Sequence, residues 1–196
     1  MPMNVEYWGI RGLGHHIRCM AFYLSLDFTE TRLGMEDAQS YFQRKGEGAA
    51  GENPLINLPS ITDGDVFVSE TSACIVYLLE KAGRLDMSDT TWQRQQMMSI
   101  VGDIYRGCTL PCYQVADKDA LIATLNPKYE GWAKFQMAGL AKQLGSKPFL
   151  FGDQPVAVDF ALADLLEKLA AMDNELETAT KMVKGNATWE GYLARF

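Results

Sequence analysis

The sequence has 196 residues, of which 47% are apolar, and its 18 basic residues stand against 25 acidic ones for a formal net charge of −7. A chain of this size and composition forms one domain or two small ones with a hydrophobic core. The acidic balance disfavours nucleic acid as a partner, because nucleic acid requires a basic surface. No apolar run reaches the roughly 18 residues needed to cross a membrane, and the first residues lack the features of a secretory signal. We therefore expect a cytoplasmic protein with no membrane or nucleic-acid partner.

The first part of the chain predicts a mixed order of strands and helices. Hydrophobic patterning places strands at residues 3–7, 28–33, 60–62 and 66–69 and helices at residues 15–25 and 70–82. Residues 34–52 are polar and rich in glycine, so they are predicted to form a loop with at most a short helix. The order β-α-β, loop, β-β-α is what a thioredoxin-like α/β domain gives, and we assign residues 1–82 to it.

The second part of the chain predicts helices alone. A linker is expected at residues 83–89, and residues 90–196 form an all-helical domain with helices at 90–114, 127–145, 157–172 and 189–196. The cysteines have no spacing typical of a disulfide framework or of structural zinc, although Cys108 and Cys112 lie four residues apart. We expect free thiols and no metal site.

The segment from Asn57 to Ala73 carries the strongest local signals. Leu58-Pro59 lacks a backbone donor at the proline, and Asp63-Gly64 is typical of a hairpin turn. Glu70-Thr71 then sets an acceptor and a hydroxyl beside the free N–H groups of a helix start. Such a group of residues can hold both ends of a small zwitterion. It is equally consistent with an ordinary hairpin followed by an ordinary helix.

Several separated blocks, in the right order, resemble the cytosolic glutathione transferases, and the mu class most of all. The blocks are residues 1–3, 7–18, 57–59, 63–64, 149–150, 152–153, 158–160 and 193–196. The resemblance covers nearly the whole chain and implies the glutathione transferase fold, a thioredoxin-like domain followed by an all-α domain. It also implies reduced glutathione as cosubstrate, no metal or prosthetic group, a small hydrophobic electrophile as second substrate, and a homodimer.

By this resemblance Tyr7, at the end of the first strand, donates a hydrogen bond to the sulfur of glutathione and stabilises the thiolate. Trp8 and Leu13 line the same site. Asn57 and Leu58 meet the cysteinyl part of glutathione, Pro59 is expected to be cis, and Glu70 and Thr71 hold the γ-glutamyl end. From the residues alone, a strand-end tyrosine lying across a core is the preferred interpretation of Tyr7.

Three further residues complete the implied site. Lys45, with Arg44 as second choice, is the candidate for the glycyl carboxylate, although a solvated basic loop fits as well. Asp103 would reach the γ-glutamyl amino group in the neighbouring subunit, and Tyr113 would face the electrophile. A solvated helix acid and a buried aromatic are the alternatives for these two residues.

The function implied by the resemblance is conjugation of glutathione to hydrophobic electrophiles. One alternative is a non-catalytic relative that binds ligands or has a structural role. Another is a glutathione-dependent isomerase or peroxidase, because both chemistries use the same thiolate.

Overall fold

The computed structural model describes residues 2–48 and 55–196. The chain divides into two compact units, Met1–Ser88 and Asp89–Phe196, and the division falls inside the predicted linker. The limits of the two domains stay a prediction.

The first unit is built on a four-stranded sheet in the order β2-β1-β3-β4. Its strands are β1 (Met3–Trp8), β2 (Phe28–Leu33), β3 (Ser60–Asp63) and β4 (Val66–Ser69). β1 pairs in parallel with β2 and antiparallel with β3, and β3 pairs antiparallel with β4. This mixed sheet confirms the predicted thioredoxin-like fold.

Burial alternates along β1 and gives its two faces different neighbours. Met3, Val5 and Tyr7 are buried, whereas the side chains between them are half-buried. Helices α1 (Gly14–Tyr23) and α3 (Thr71–Lys81) pack against each other and against the strands. Successive side chains of a strand point to opposite faces of the sheet, so Tyr7 lies on one face with Met3 and Val5, and Glu6 and Trp8 lie on the other.

The predicted loop at residues 34–52 is wrong over most of its length. A three-residue 3-10 turn, Met35–Asp37, leads into helix α2 (Ala38–Glu47). Two glycines misled the interpretation: Gly46 lies in the last turn, and Gly48 ends the helix with φ 69°, a left-handed angle that favours glycine. Residues 49–52 of the predicted loop lie outside the described part of the chain.

The second unit consists of helices. They are α4 (Trp92–Ile104), α5 (Pro111–Gln114), α6 (Lys118–Lys128), α7 (Lys134–Leu144), α8 (Ala157–Glu175) and α9 (Ala187–Leu193). α8 is buried around most of its circumference and forms the centre of this unit's core. Among the described residues, no helix has the length and apolar character needed to cross a membrane.

Two predicted helices of this unit are interrupted by π-helical turns. Tyr105–Thr109 separates α4 from α5 inside the helix predicted at 90–114, and Tyr129–Ala133 separates α6 from α7. The helix predicted to start at Pro127 instead starts at Lys118, where the Asp117 side chain caps the helix by accepting from the Ala120 N–H. A π turn holds an extra residue, so the side chains beyond it face a different direction from those of a regular helix.

A buried carboxylate, Asp159, and a half-buried one, Asp89, lie near the start of α8. Asp159 is fully buried and accepts hydrogen bonds from the Val156 N–H, the Leu150 N–H and the Tyr192 hydroxyl.

Asp89 accepts from the Val158 N–H, yet its Oδ1 atom is buried without a partner among the described residues. Burial raises the pKa of Asp89 to about 7, although Arg94 acts in the opposite direction. The ionised form of Asp89 is therefore penalised in the folded protein.

We predict that Asp89→Asn stabilises the protein at pH 8 and has little effect at pH 4. Because the folded pKa lies above the unfolded one, the wild type loses stability as pH rises from about 4 to about 7. Asparagine keeps the acceptor for Val158 but not the charge, and should raise the free energy of unfolding at pH 8 by about 1–3 kcal/mol. Urea denaturation at both pH values measures this, with exposed Asp153→Asn as control. An equal effect at both pH values would contradict the prediction.

Candidate active site

Tyr7 stands at the end of β1 with a hydroxyl held by the next turn of the chain. Its side chain is buried, at 7% exposure. The Leu13 N–H donates to Tyr7 Oη at 2.9 Å, at the start of α1. The loop before Leu13 is itself fixed, because Arg18 Nη2 donates to the Ile10 carbonyl at 3.1 Å. An N–H bonded to the phenol oxygen polarises the hydroxyl and makes it a stronger donor.

Two glycines allow the chain to pass this close to Tyr7. A Cβ atom on Gly12 would lie 2.5 Å from Tyr7 Oη, and one on Gly14 would lie 2.6 Å from its Cγ. Gly12 also has φ +41°, an angle that side chains disfavour. Only glycine fits at these two positions without moving the tyrosine ring.

The aromatic side of the site comes from β1 and α2. Trp8 meets Tyr41 edge to face, with ring centroids 5.1 Å apart. Tyr41 is buried and forms one apolar cluster with Tyr7, Ile56 and Leu58. Burial raises the pKa of the Tyr41 phenol.

A line of polar side chains crosses the site from α2 to α3. Lys45 Nζ donates to Asn57 Oδ1 at 3.0 Å, and Asn57 Nδ2 donates to Glu70 Oε1 at 2.6 Å. The line has an ammonium at one end and a carboxylate at the other. That charge order suits an organic zwitterion, because the ammonium would repel a metal cation.

Glu70 has an unusual backbone conformation at the start of α3. Its φ of 74° lies in the left-handed region, where a residue other than glycine is strained. The Glu70 side chain does not cap the helix. The geometry instead directs the carboxylate to Asn57, while Thr71 occupies the first position of the helix.

The segment between Asn57 and β3 contains a cis peptide bond. Leu58-Pro59 is cis, which confirms that prediction. Leu58 is buried in the cluster with Tyr7.

Asp103 and Tyr113 belong to the second unit, and their roles stay predictions. Asp103 is exposed and forms an ion pair with Arg106 at 2.6 Å within its own helical segment. Tyr113 lies in α5 with 56% of its surface exposed. A π turn lies between them, so their side chains do not have the relative directions that a continuous α-helix would give.

Reasoning from the sequence missed two contributions to the site. Tyr41 was overlooked because it falls in the segment predicted as a loop, although Tyr41 and Lys45 are one helical turn apart, as one face of a helix requires. The role of Gly12 and Gly14 was signalled only by their spacing after the strand. Arg44, the second choice for the glycyl carboxylate, instead pairs with Glu6 at 2.7 Å.

Comparison with known proteins shows which proteins share this sequence and fold. No family model matches the sequence. The chain is 27% identical to glutathione S-transferase Mu 1 of Macaca fascicularis over 85% of its own length and 76% of that protein's. It is 28% identical to glutathione S-transferase Mu 2 of Homo sapiens, over 86% of its own length and 76% of that protein's. The Pi-class glutathione S-transferase of Onchocerca volvulus superposes with a TM-score of 0.73 at 18% identity, covering 100% of this chain and 87% of that one.

The fold is therefore that of the glutathione S-transferases. The sequence relatives agree with this fold, because the chain is similar to mu-class glutathione S-transferases over most of its length. This confirms the predicted resemblance and the predicted enzyme class.

We predict that Gly14→Ala destabilises the protein because its new methyl group overlaps the Tyr7 ring. The ring must move, at an expected cost of about 1–3 kcal/mol in the free energy of unfolding. Gly139→Ala is the matched control, since Gly139 is a helical glycine in α7 whose Cβ would meet no atom within 4 Å. That change should raise the free energy of unfolding by up to about 1 kcal/mol. Urea denaturation measures both, and similar shifts in the two variants would contradict the assigned contact.

Proposed function

We propose that the protein conjugates the thiolate of reduced glutathione to hydrophobic electrophiles, and that Tyr7 stabilises this thiolate. The observation that carries the proposal is the buried Tyr7 hydroxyl, whose oxygen accepts the Leu13 N–H at 2.9 Å. That bond holds the oxygen in place, and we propose that the hydroxyl donates to the sulfur of bound glutathione.

The chemistry requires that the thiol lose its proton near neutral pH. The reference pKa of a thiol is about 8.5, and each unit of depression needs about 1.4 kcal/mol of preference for the thiolate. A hydroxyl directed at sulfur from a buried position supplies this preference, because a fixed donor in a site shielded from water stabilises charge strongly. The thiolate is the nucleophile that attacks the electrophilic carbon.

The polar line across the site fits the two charged ends of glutathione. The Glu70 carboxylate would take the α-ammonium of the γ-glutamyl end. The Thr71 hydroxyl and the N–H groups of the first turn of α3 would take its α-carboxylate. Lys45, at the opposite end of the line, would take the glycyl carboxylate, and the Leu58 backbone would pair with the tripeptide as an added strand. These contacts require the ligand to replace the bonds that Asn57 makes to Lys45 and Glu70.

The second unit would supply the remaining parts of the reaction. We assign Tyr113 to the electrophile, with its hydroxyl donating to a developing negative charge. We assign Asp103 to the γ-glutamyl amino group of a neighbouring subunit, a role that requires a homodimer. The cytoplasm is the proposed location.

The orientation of the Tyr7 hydroxyl favours conjugation over a non-catalytic binding role. A non-catalytic binding protein gives no reason to keep a hydroxyl oriented by a backbone N–H beside a polar line of opposite charges. Isomerisation and peroxide reduction would use the same thiolate and are further reactions of the same site.

We predict that Tyr7→Phe lowers the rate of glutathione conjugation to 1-chloro-2,4-dinitrobenzene at least about tenfold. The loss corresponds to about 1.4 kcal/mol of transition-state stabilisation, because phenylalanine cannot donate to sulfur. Tyr23→Phe, which alters an exposed tyrosine of the same unit, serves as control and should leave the rate unchanged. Absence of turnover in the wild type, despite measurable binding of glutathione, would contradict the proposal.

A further inference from the structure

Helix α2 contributes to the site through two side chains on one face. Lys45 donates to Asn57 at 3.0 Å, and Tyr41 lies in the apolar cluster with Tyr7 and Leu58. The site therefore depends on where α2 lies relative to the sheet. A helix displaced by an ångström would move the ammonium and the phenol together.

Little buried surface holds α2 in place. Among its ten residues, Tyr41 is the one that is buried, and neighbouring Phe42 is 61% exposed. Helices in proteins gain most of their stability from packing an apolar face, and α2 has a narrow one. A further contact is needed to fix the rotation of this helix about its axis and its distance from the sheet.

That contact is an ion pair with the central strand. Arg44 Nη2 lies 2.7 Å from Glu6 Oε2, and the Ser60 hydroxyl donates to the same oxygen at 3.3 Å. Glu6 and Ser60 face each other across β1 and β3, so the carboxylate is anchored by the sheet itself. The Glu6 side chain is 12% exposed and that of Arg44 is 43% exposed, so solvent screens this pair mainly from the arginine side.

The same guanidinium also contacts the aromatic cluster. Its central carbon lies 5.7 Å from the centroid of the Tyr41 ring, within the range of a cation–π interaction. Arg44 thus joins three parts of the site: the strand β1 that carries Tyr7, the buried Tyr41, and, through its neighbour Lys45, the polar line.

We propose that the Glu6–Arg44 ion pair positions α2 for glutathione, and that it sets the affinity for glutathione without taking part in the chemical step. Arg44 is on this account a positioning residue that acts through Lys45 and Tyr41. The inference rests on the proposed function, because it assigns a task to α2 within the glutathione site.

The test compares Arg44→Gln, Glu6→Gln and the double variant with the wild type. Each single variant should raise the KM for glutathione, and the Kd measured by calorimetry, about fivefold, because pairs of this kind couple by about 1 kcal/mol. The kcat at saturating glutathione should stay within about twofold of the wild type. The double variant should be no weaker than either single one, and Arg44→Lys, which keeps the charge, should recover part of the affinity.

Arg32→Gln is the matched control, since Arg32 pairs with Glu30 on an exposed part of β2 in the same unit. It should leave the affinity for glutathione unchanged. A melting temperature that falls in Arg44→Gln with no change in the Kd for glutathione would overturn the proposal. It would indicate that the ion pair stabilises the fold and has no effect on glutathione binding. Additive losses in the double variant would overturn it as well.

The Kd values measured by calorimetry distinguish failure of the positioning role from failure of the proposed function. If the wild type binds and conjugates glutathione while Arg44→Gln binds it equally well, only the positioning role falls. If the wild type binds no glutathione, both the proposed function and the positioning role are wrong.

Discussion

The contact between Tyr7 and the turn that follows β1 is the constraint on which the site depends. The hydroxyl accepts a backbone N–H from Leu13, and Gly12 and Gly14 leave room for the ring where any side chain would overlap it. The strand, the turn and the start of α1 are therefore fixed relative to one atom, Tyr7 Oη. A hydroxyl oriented in this way needs no rearrangement when charge develops next to it, which is the condition for effective electrostatic stabilisation.

The other elements of the first unit are arranged around that atom. The cis bond before Pro59 lies beside the cluster with Tyr7, and the strained backbone at Glu70 directs a carboxylate toward Asn57. Strain of this kind is kept where surrounding structure enforces it, and it is common at sites that bind ligands. Under the proposed function, the resulting line of ammonium, amide and carboxylate would bind the charged ends of glutathione, and Tyr7 would bind the sulfur atom between them.

The sequence predicted the sheet of the first unit because its signals are local, whereas the cis bond before Pro59 was expected from the resemblance. Alternation located β2 and β4 at the residues where they occur, and Leu58-Pro59 marked the corner. Helix α2 was missed, since its segment is mostly polar and carries glycines at its end, as a loop does. The π turn at Tyr105–Thr109 was also missed, because an extra residue in a helix leaves the apolar pattern nearly unchanged. The contact of Arg44 with Glu6 joins residues 38 positions apart, and no local pattern encodes it.

The central claim is that Tyr7 lowers the pKa of the thiol of bound glutathione, and a spectroscopic pH titration tests it most directly. Ultraviolet absorbance of the thiolate is followed from pH 5 to 10 with glutathione bound to the wild type and, separately, free in solution. The account predicts that the bound thiol titrates at least about one pH unit below the free one, equivalent to about 1.4 kcal/mol of preference for the thiolate. A bound thiol that titrates together with free glutathione would contradict the account.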